Sequence, residues 1–173
     1  YSHLLSLLGR TEEGTEQMRL ALELDPLNPL VRSLHGLQLI MAGDIQGSIR
    51  VIEDVMESSP GFGFGPGALA YGYHLLGEQE KAIAALATDI RLSWSFPEGA
   101  KLLEDTYAEH GYTAAILQAA QAFEEHSKTI HVGPLAIGHL YEYAGETEKA
   151  VDWYELGYQI TTIFPSVGLG SIL

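Results

Sequence analysis

Glycine recurs in this chain at an unbroken interval of 34 residues, as Gly9, Gly43, Gly77, Gly111 and Gly145. With 19 glycines among 173 residues, chance would fill the four further positions in roughly one chain of several thousand. A strict period of that length means a stack of like units, each too small to bury its own apolar face. The interval therefore limits the architecture before any helix or strand is assigned. It also frames the functional question, because arrays of this kind usually offer a surface and perform no chemistry.

Other positions repeat with the glycines. Seven residues before each stand Ser2, Gly36, Ala70, Glu104 and Gly138, mostly small; four before stand Leu5, Leu39, Tyr73, Tyr107 and Tyr141, all large. Five after come Gly14, Ser48, Ala82, Ile116 and Ala150, and nine after come Met18, Ile52, Leu86, Ala120 and Tyr154. Small residues let two helices approach closely, large ones fill the space beside them, and a glycine in the left-handed conformation ends the first helix. Pro26 and Pro60, seventeen after the first two glycines, close the first two units. The unit is a helix–turn–helix, and its pattern of small-xx-Tyr in helix A, Ala-xxx-aromatic in helix B and a closing proline resembles the tetratricopeptide repeat. That resemblance implies an all-α fold, a right-handed α-α superhelix of about five units, with the A helices lining its concave side.

The chain is expected to form a single domain over residues 1–173. Its units run approximately 1–28 (truncated within helix A), 29–62, 63–96, 97–130 and 131–164, and an apolar tail follows over 165–173. Helices are expected near 1–8, 11–24, 29–42, 45–58, 66–76, 79–92, 98–110, 112–127, 134–144 and 147–160. Proline at the start of several is tolerated because the first-turn N–H groups have no helical partner. Unit four is the irregular one. Trp94 and Phe96 replace the proline turn, and Glu104 and Ile116 stand where small residues are expected. A carboxylate between helices is costly unless paired, so Glu104 is expected at solvent or beside a basic group, with the helices splayed. The tail is expected to fold over the last helix or to lead into a missing cap.

Units four and five carry a finer pattern: Leu103, Tyr107, Gly111, Tyr112 and Ala115, then Pro134, Ile137, Tyr141, Gly145, Lys149, Ala150, Trp153, Gly157 and Tyr158. This is similar to the C-terminal repeats found behind winged-helix regulators, adenylate cyclases and Ser/Thr kinases in bacterial signalling proteins. The resemblance implies the sensing or scaffolding end of a larger protein, and no effector domain lies in this sequence.

If the A helices line a groove, residues at fixed offsets before the glycines face it. Leu37, Tyr71, Asp105 and His139 stand six before; Ile40, His74 and Glu142 three before; Met41, Leu75, Glu109 and Tyr143 two before, together with Leu7; Lys101 stands ten before. The groove then changes from apolar in units two and three to acidic in units four and five. It suits a protein or peptide that is amphipathic with a basic end. The other reading is that the same groove and the apolar tail make homodimers. Asn is absent from the offset six before each glycine and Lys101 is the single basic residue, so capture of an acidic C-terminal peptide is disfavoured.

Nine Lys and Arg against 23 Asp and Glu give a net charge of −14. Phosphate backbones need clustered cations, so nucleic acid is not an expected partner. With no run of about 18 apolar residues, membrane insertion is not expected either. The absence of cysteine excludes disulfides and thiolate chemistry and fits the reducing cytoplasm. Seven histidines lack the i, i+4 spacing of zinc hydrolases, although His139 and Glu142 share a helix face. The run Gly61-Phe62-Gly63-Phe64-Gly65-Pro66-Gly67 has no following Lys-Ser/Thr and reads as an inter-repeat linker, its phenylalanines plugging the joint. These patterns specify no cofactor, metal or catalytic group.

Overall fold

The computed structural model describes residues 1–130 and 132–163. Every regular element among them is a helix: α1 (Ser2–Leu7), α2 (Thr11–Leu24), α3 (Pro29–Met41), α4 (Ile45–Ser58), α5 (Gly65–Leu75), α6 (Gln79–Leu92), α7 (Pro97–His110), α8 (Tyr112–His126), α9 (Pro134–Tyr143) and α10 (Thr147–Ile163). The odd-numbered helices are the A helices of the repeat and the even-numbered the B helices. Each A helix packs on the B helix that follows it. The chain divides into two compact blocks, the first Tyr1–Ser95 with α1 to α6 and the second starting at Phe96 with α7 to α10. The expected tail over 165–173 lies outside the described residues.

The five periodic glycines are the positive-φ glycines among the described residues, with φ between 71° and 87°. Four of them close the A helix in the same way. Gly9 N–H donates to Ser6 O and Arg10 N–H to Leu5 O, and the same pair recurs at Gly43 and Asp44, Gly77 and Glu78, and Gly145 and Glu146. This is the Schellman arrangement, which satisfies two carbonyls that the helix end would leave orphaned. Gly111 departs from it. Its φ of 80° is combined with ψ of −174°, so it is extended rather than left-handed helical, and α8 begins at the next residue. The period survives in repeat four while the turn does not.

The repeated positions meet as their sizes require. A methyl group added to Gly36 would lie 2.5 Å from Ile52 and 3.5 Å from the Ser48 hydroxyl, and one added to Gly138 would lie 2.5 Å from Tyr154. At Gly14 it would strike the Ser2 carbonyl and the Ser6 hydroxyl, both at 2.6 Å. Gly36, Ala70 and Ala82 are buried as the register requires. In repeat four, Leu103 and Ala100 are fully buried and Glu104 is exposed. The inward face of α7 is therefore carried one residue earlier than the small position, which puts Glu104 in solvent as expected. Ile116 then takes up the interior of the pair with Ala115, Ala119 and Ala120.

Side chains join consecutive pairs within each block. Gln38 Nε2 donates to Ser6 Oγ at 2.7 Å, holding α3 against α1. The Tyr73 hydroxyl donates to Glu53 at 2.5 Å while Lys81 sits 5.2 Å from the centre of its ring. In the second block Tyr141 donates to Glu124 at 2.5 Å, with Lys149 at 5.0 Å. Burial and the neighbouring carboxylate push both phenols well above their ordinary range.

The two aromatics that replaced the proline turn serve different blocks. Trp94 Nε1 donates to Asp89 at 3.1 Å, and Ser93 Oγ donates to the same carboxylate at 2.7 Å. Gly67 N–H donates to it as well, tying the end of α6 to the first turn of α5. Phe96 instead stacks on His126, with centroids 4.0 Å apart and planes 5° from parallel, and meets Phe123 edge-on at 5.7 Å. Phe62 and Phe64 of the glycine-rich run are half-buried, their centroids 6.5 Å apart.

Candidate protein-binding face

In the first block the A helices run side by side, α1 against α3 and α3 against α5. His3 Nε2 lies 2.8 Å from the Leu34 carbonyl, fixing the first of these contacts. Positions at one offset from the turn glycines therefore line up across the three helices. The offset two before the glycine carries Leu7, Met41 and Leu75, which are 72%, 38% and 43% exposed. Beside them Leu37, Ile40, Tyr71 and His74 are half-buried. The stripe continues through Leu7, whose membership is signalled by its offset.

Charge is divided between the two kinds of helix in this block. Helices α1, α3 and α5 contain no Asp or Glu, and every carboxylate carried by the block's six helices stands on α2, α4 or α6. Arg32 is the one Lys or Arg on α1, α3 and α5 and is paired with Asp54 of α4, so the rest of the A-helix side has low desolvation cost, since uncharged side chains lose little on leaving water. The B-helix side is solvated and carries ion pairs, among them Arg10 with Glu13 and Arg19 with Glu16.

The second block differs in kind. Lys101 is paired with Asp105 one turn along α7, so the one basic residue of the expected groove is engaged by its own helix. Glu109 lies 3.6 Å from the His110 ring nitrogen and is exposed. On α9, His139 and Glu142 come together at 3.4 Å, and the Tyr154 hydroxyl reaches across from α10 to both. Tyr154 donates its single proton to Glu142, so its oxygen, 2.9 Å from His139 Nδ1, accepts from that nitrogen. Tyr143 stacks on the His139 ring at 6.2 Å. The cluster is a surface hydrogen-bond network. Among the described residues no group of three or more His, Cys, Asp or Glu side chains could hold a metal ion. His131 lies outside the described residues.

The structure brings Leu37, Ile40, Met41, Tyr71, His74 and Leu75 onto two neighbouring helices of one block, α3 and α5. His139, Glu142 and Tyr143 form a second group, and Lys101, Asp105 and Glu109 lie along α7. The sequence marks Tyr154 as a packing position nine after Gly145 and gives no sign of the role of its polar end. No protein-family model matches the chain, and no curated protein matches it. No helix among the described residues is long and apolar enough to cross a membrane.

Proposed function

We propose that this chain is a non-catalytic protein-binding module of tetratricopeptide type, and that the A-helix side of its first block holds an apolar or amphipathic segment of a partner protein. The observation that carries the reading is the stripe of Leu7, Met41 and Leu75 on three adjoining helices that bear no carboxylate. Single exposed apolar residues need no explanation, but aligned ones rimmed by a charged surface mark interaction sites. Interface cores are depleted of charge in the same way. The chain's excess of acid favours basic residues on the partner wherever it meets the exposed carboxylates of either block. At least six of the nine Lys and Arg are already paired with carboxylates of the chain, which leaves little positive charge for an anionic partner. Support for a cytoplasmic scaffold in a bacterial signalling protein comes from the resemblance of the last two repeats and the lack of cysteine.

The test is selection of peptides from a random display library on the immobilised chain, followed by titration of a synthetic binder. Peptides with spaced apolar residues are expected, and Met41→Glu with Leu75→Glu should abolish their binding. Selection of acidic peptides, or binders indifferent to both substitutions, would defeat the reading.

A further inference from the structure

The glycine-rich segment over 61–67 is tied to the end of α6 at two points, and both ties involve Asp89. At one of them the Gly67 amide, in the first turn of α5, donates to the Asp89 carboxylate. Phe64, the N-cap of α5, supplies no capping side chain, so Asp89 reaches across from α6 to satisfy a donor that the helix start leaves open. A methyl added to Gly67 would lie 3.2 Å from Asp89 Oδ1. At the other point the Gly63 carbonyl lies 2.5 Å from Ser93 Oγ, which itself lies 2.7 Å from Asp89 Oδ1. Trp94 Nε1 donates to Oδ2 at 3.1 Å.

A hydroxyl has one proton to give, whereas a carbonyl and an ionised carboxylate only accept. With Asp89 ionised, Ser93 therefore serves the carboxylate or Gly63, and the charge-assisted bond is the stronger. A proton on Oδ1 removes the conflict: Asp89 donates to Ser93, Ser93 donates to Gly63, and Trp94 keeps Oδ2. We propose that Asp89 and Ser93 form a proton-operated latch, in which the protonated carboxyl fastens Gly63 to α6 through the serine hydroxyl and the ionised one takes the serine proton and releases the carbonyl. Gly63 is half-buried, so water can take over the released carbonyl. Alternating glycines place few steric limits on the segment, and release frees the backbone between Phe62 and Phe64. Burial raises the pKa of Asp89 against its three donors, with no charged partner among the causes. The segment carries no titratable side chain, and α5 carries Tyr71, Tyr73 and His74. Of these, Tyr73 is bonded to Glu53 and His74 stands in the last turn, two turns from Gly67. On α6, Arg91 is exposed and two positions on, toward the opposite side of the helix. The latch is thus closed below the raised folded pKa of Asp89 and opens as pH rises through it.

NMR of the full, isotope-labelled 173-residue chain over a pH series tests this. The Trp94 indole N–H reports the state of the carboxyl, and the Phe64 amide, which shares its peptide group with the Gly63 carbonyl, reports the latch. In the parent both should shift with one midpoint. Asp89→Asn puts an amide donor in place of the acid proton, so Phe64 should hold its low-pH position throughout the series. Ser93→Ala, at an exposed position, should leave Trp94 titrating and abolish the Phe64 response. A Phe64 amide that ignores the Trp94 transition in the parent would overturn the proposal. So would a Phe64 transition that persists in Asp89→Asn, which would belong to a histidine, or one that survives Ser93→Ala.

Discussion

Gly111 and Gly77 occupy the same place in the period but not the same backbone conformation. Gly77 sits in a Schellman turn, where an alanine is strained by roughly 1–2 kcal/mol. Gly111, at φ 80° and ψ −174°, lies in a region that is essentially glycine-only, costing about 1–3 kcal/mol for other residues. Gly111→Ala should therefore destabilise more than Gly77→Ala in urea unfolding; equal losses would mean the two turns are alike. At the helix crossings the deciding quantity is what a new methyl would strike. Gly14→Ala meets a backbone carbonyl, whereas Gly36→Ala meets the movable end of Ile52, so the first should cost more. Ala82→Leu should overpack the third pair and cost about 1–3 kcal/mol. An unchanged melting temperature for that variant would refute the register.

At the scale of elements, the helices were legible because glycine, proline and the apolar period mark their ends independently. Helices α2, α4 and α6 fall on the expected residues, and α10 runs to Ile163, three residues beyond the expected end. What was not legible depends on neighbours far along the chain. Asp89 reads as an ordinary polar residue of α6, yet its carboxylate is enclosed by Ser93, Trp94 and the Gly67 amide. Burial pushes its pKa up, against those three donors, which pull it down. The sign follows from proton binding. Between the unfolded value of about 4 and the raised folded value, the folded state holds more protons, so this group's contribution to stability falls as pH rises. The stability of the parent relative to Asp89→Asn should decline across that window in urea melts. A difference independent of pH would show that the carboxylate is not desolvated. Tyr73→Phe removes the tie from α5 to α4 and should cost about 0.5–1.5 kcal/mol, measured the same way.

Across the described residues, the repeat specifies ten helices in consecutive pairs, while charge distinguishes their faces. In the apolar half of the expected groove, Leu37, Ile40, Met41, Tyr71 and Leu75 stand at three fixed offsets before Gly43 and Gly77, and on α3 and α5 they are half-buried or exposed. In the acidic half, the sequence showed Lys101 and Asp105 as separate groove residues, whereas side-chain geometry joins them in an ion pair. Glu142 likewise enters a network with Tyr154 and His139 that spacing alone shows only as a shared face. The A-helix stripe of the first block is the surface on which the proposed function turns. Its most direct test is the affinity of one display-selected peptide, followed by fluorescence anisotropy, for the parent chain and two double variants. Met41→Glu with Leu75→Glu should weaken binding by at least about a hundredfold, as expected when central interface residues are lost. Glu57→Lys with Glu80→Lys, on the B helices α4 and α6, should change it by less than about tenfold, the scale of peripheral charge effects. Loss of affinity with the B-helix pair and none with the A-helix pair would contradict the account.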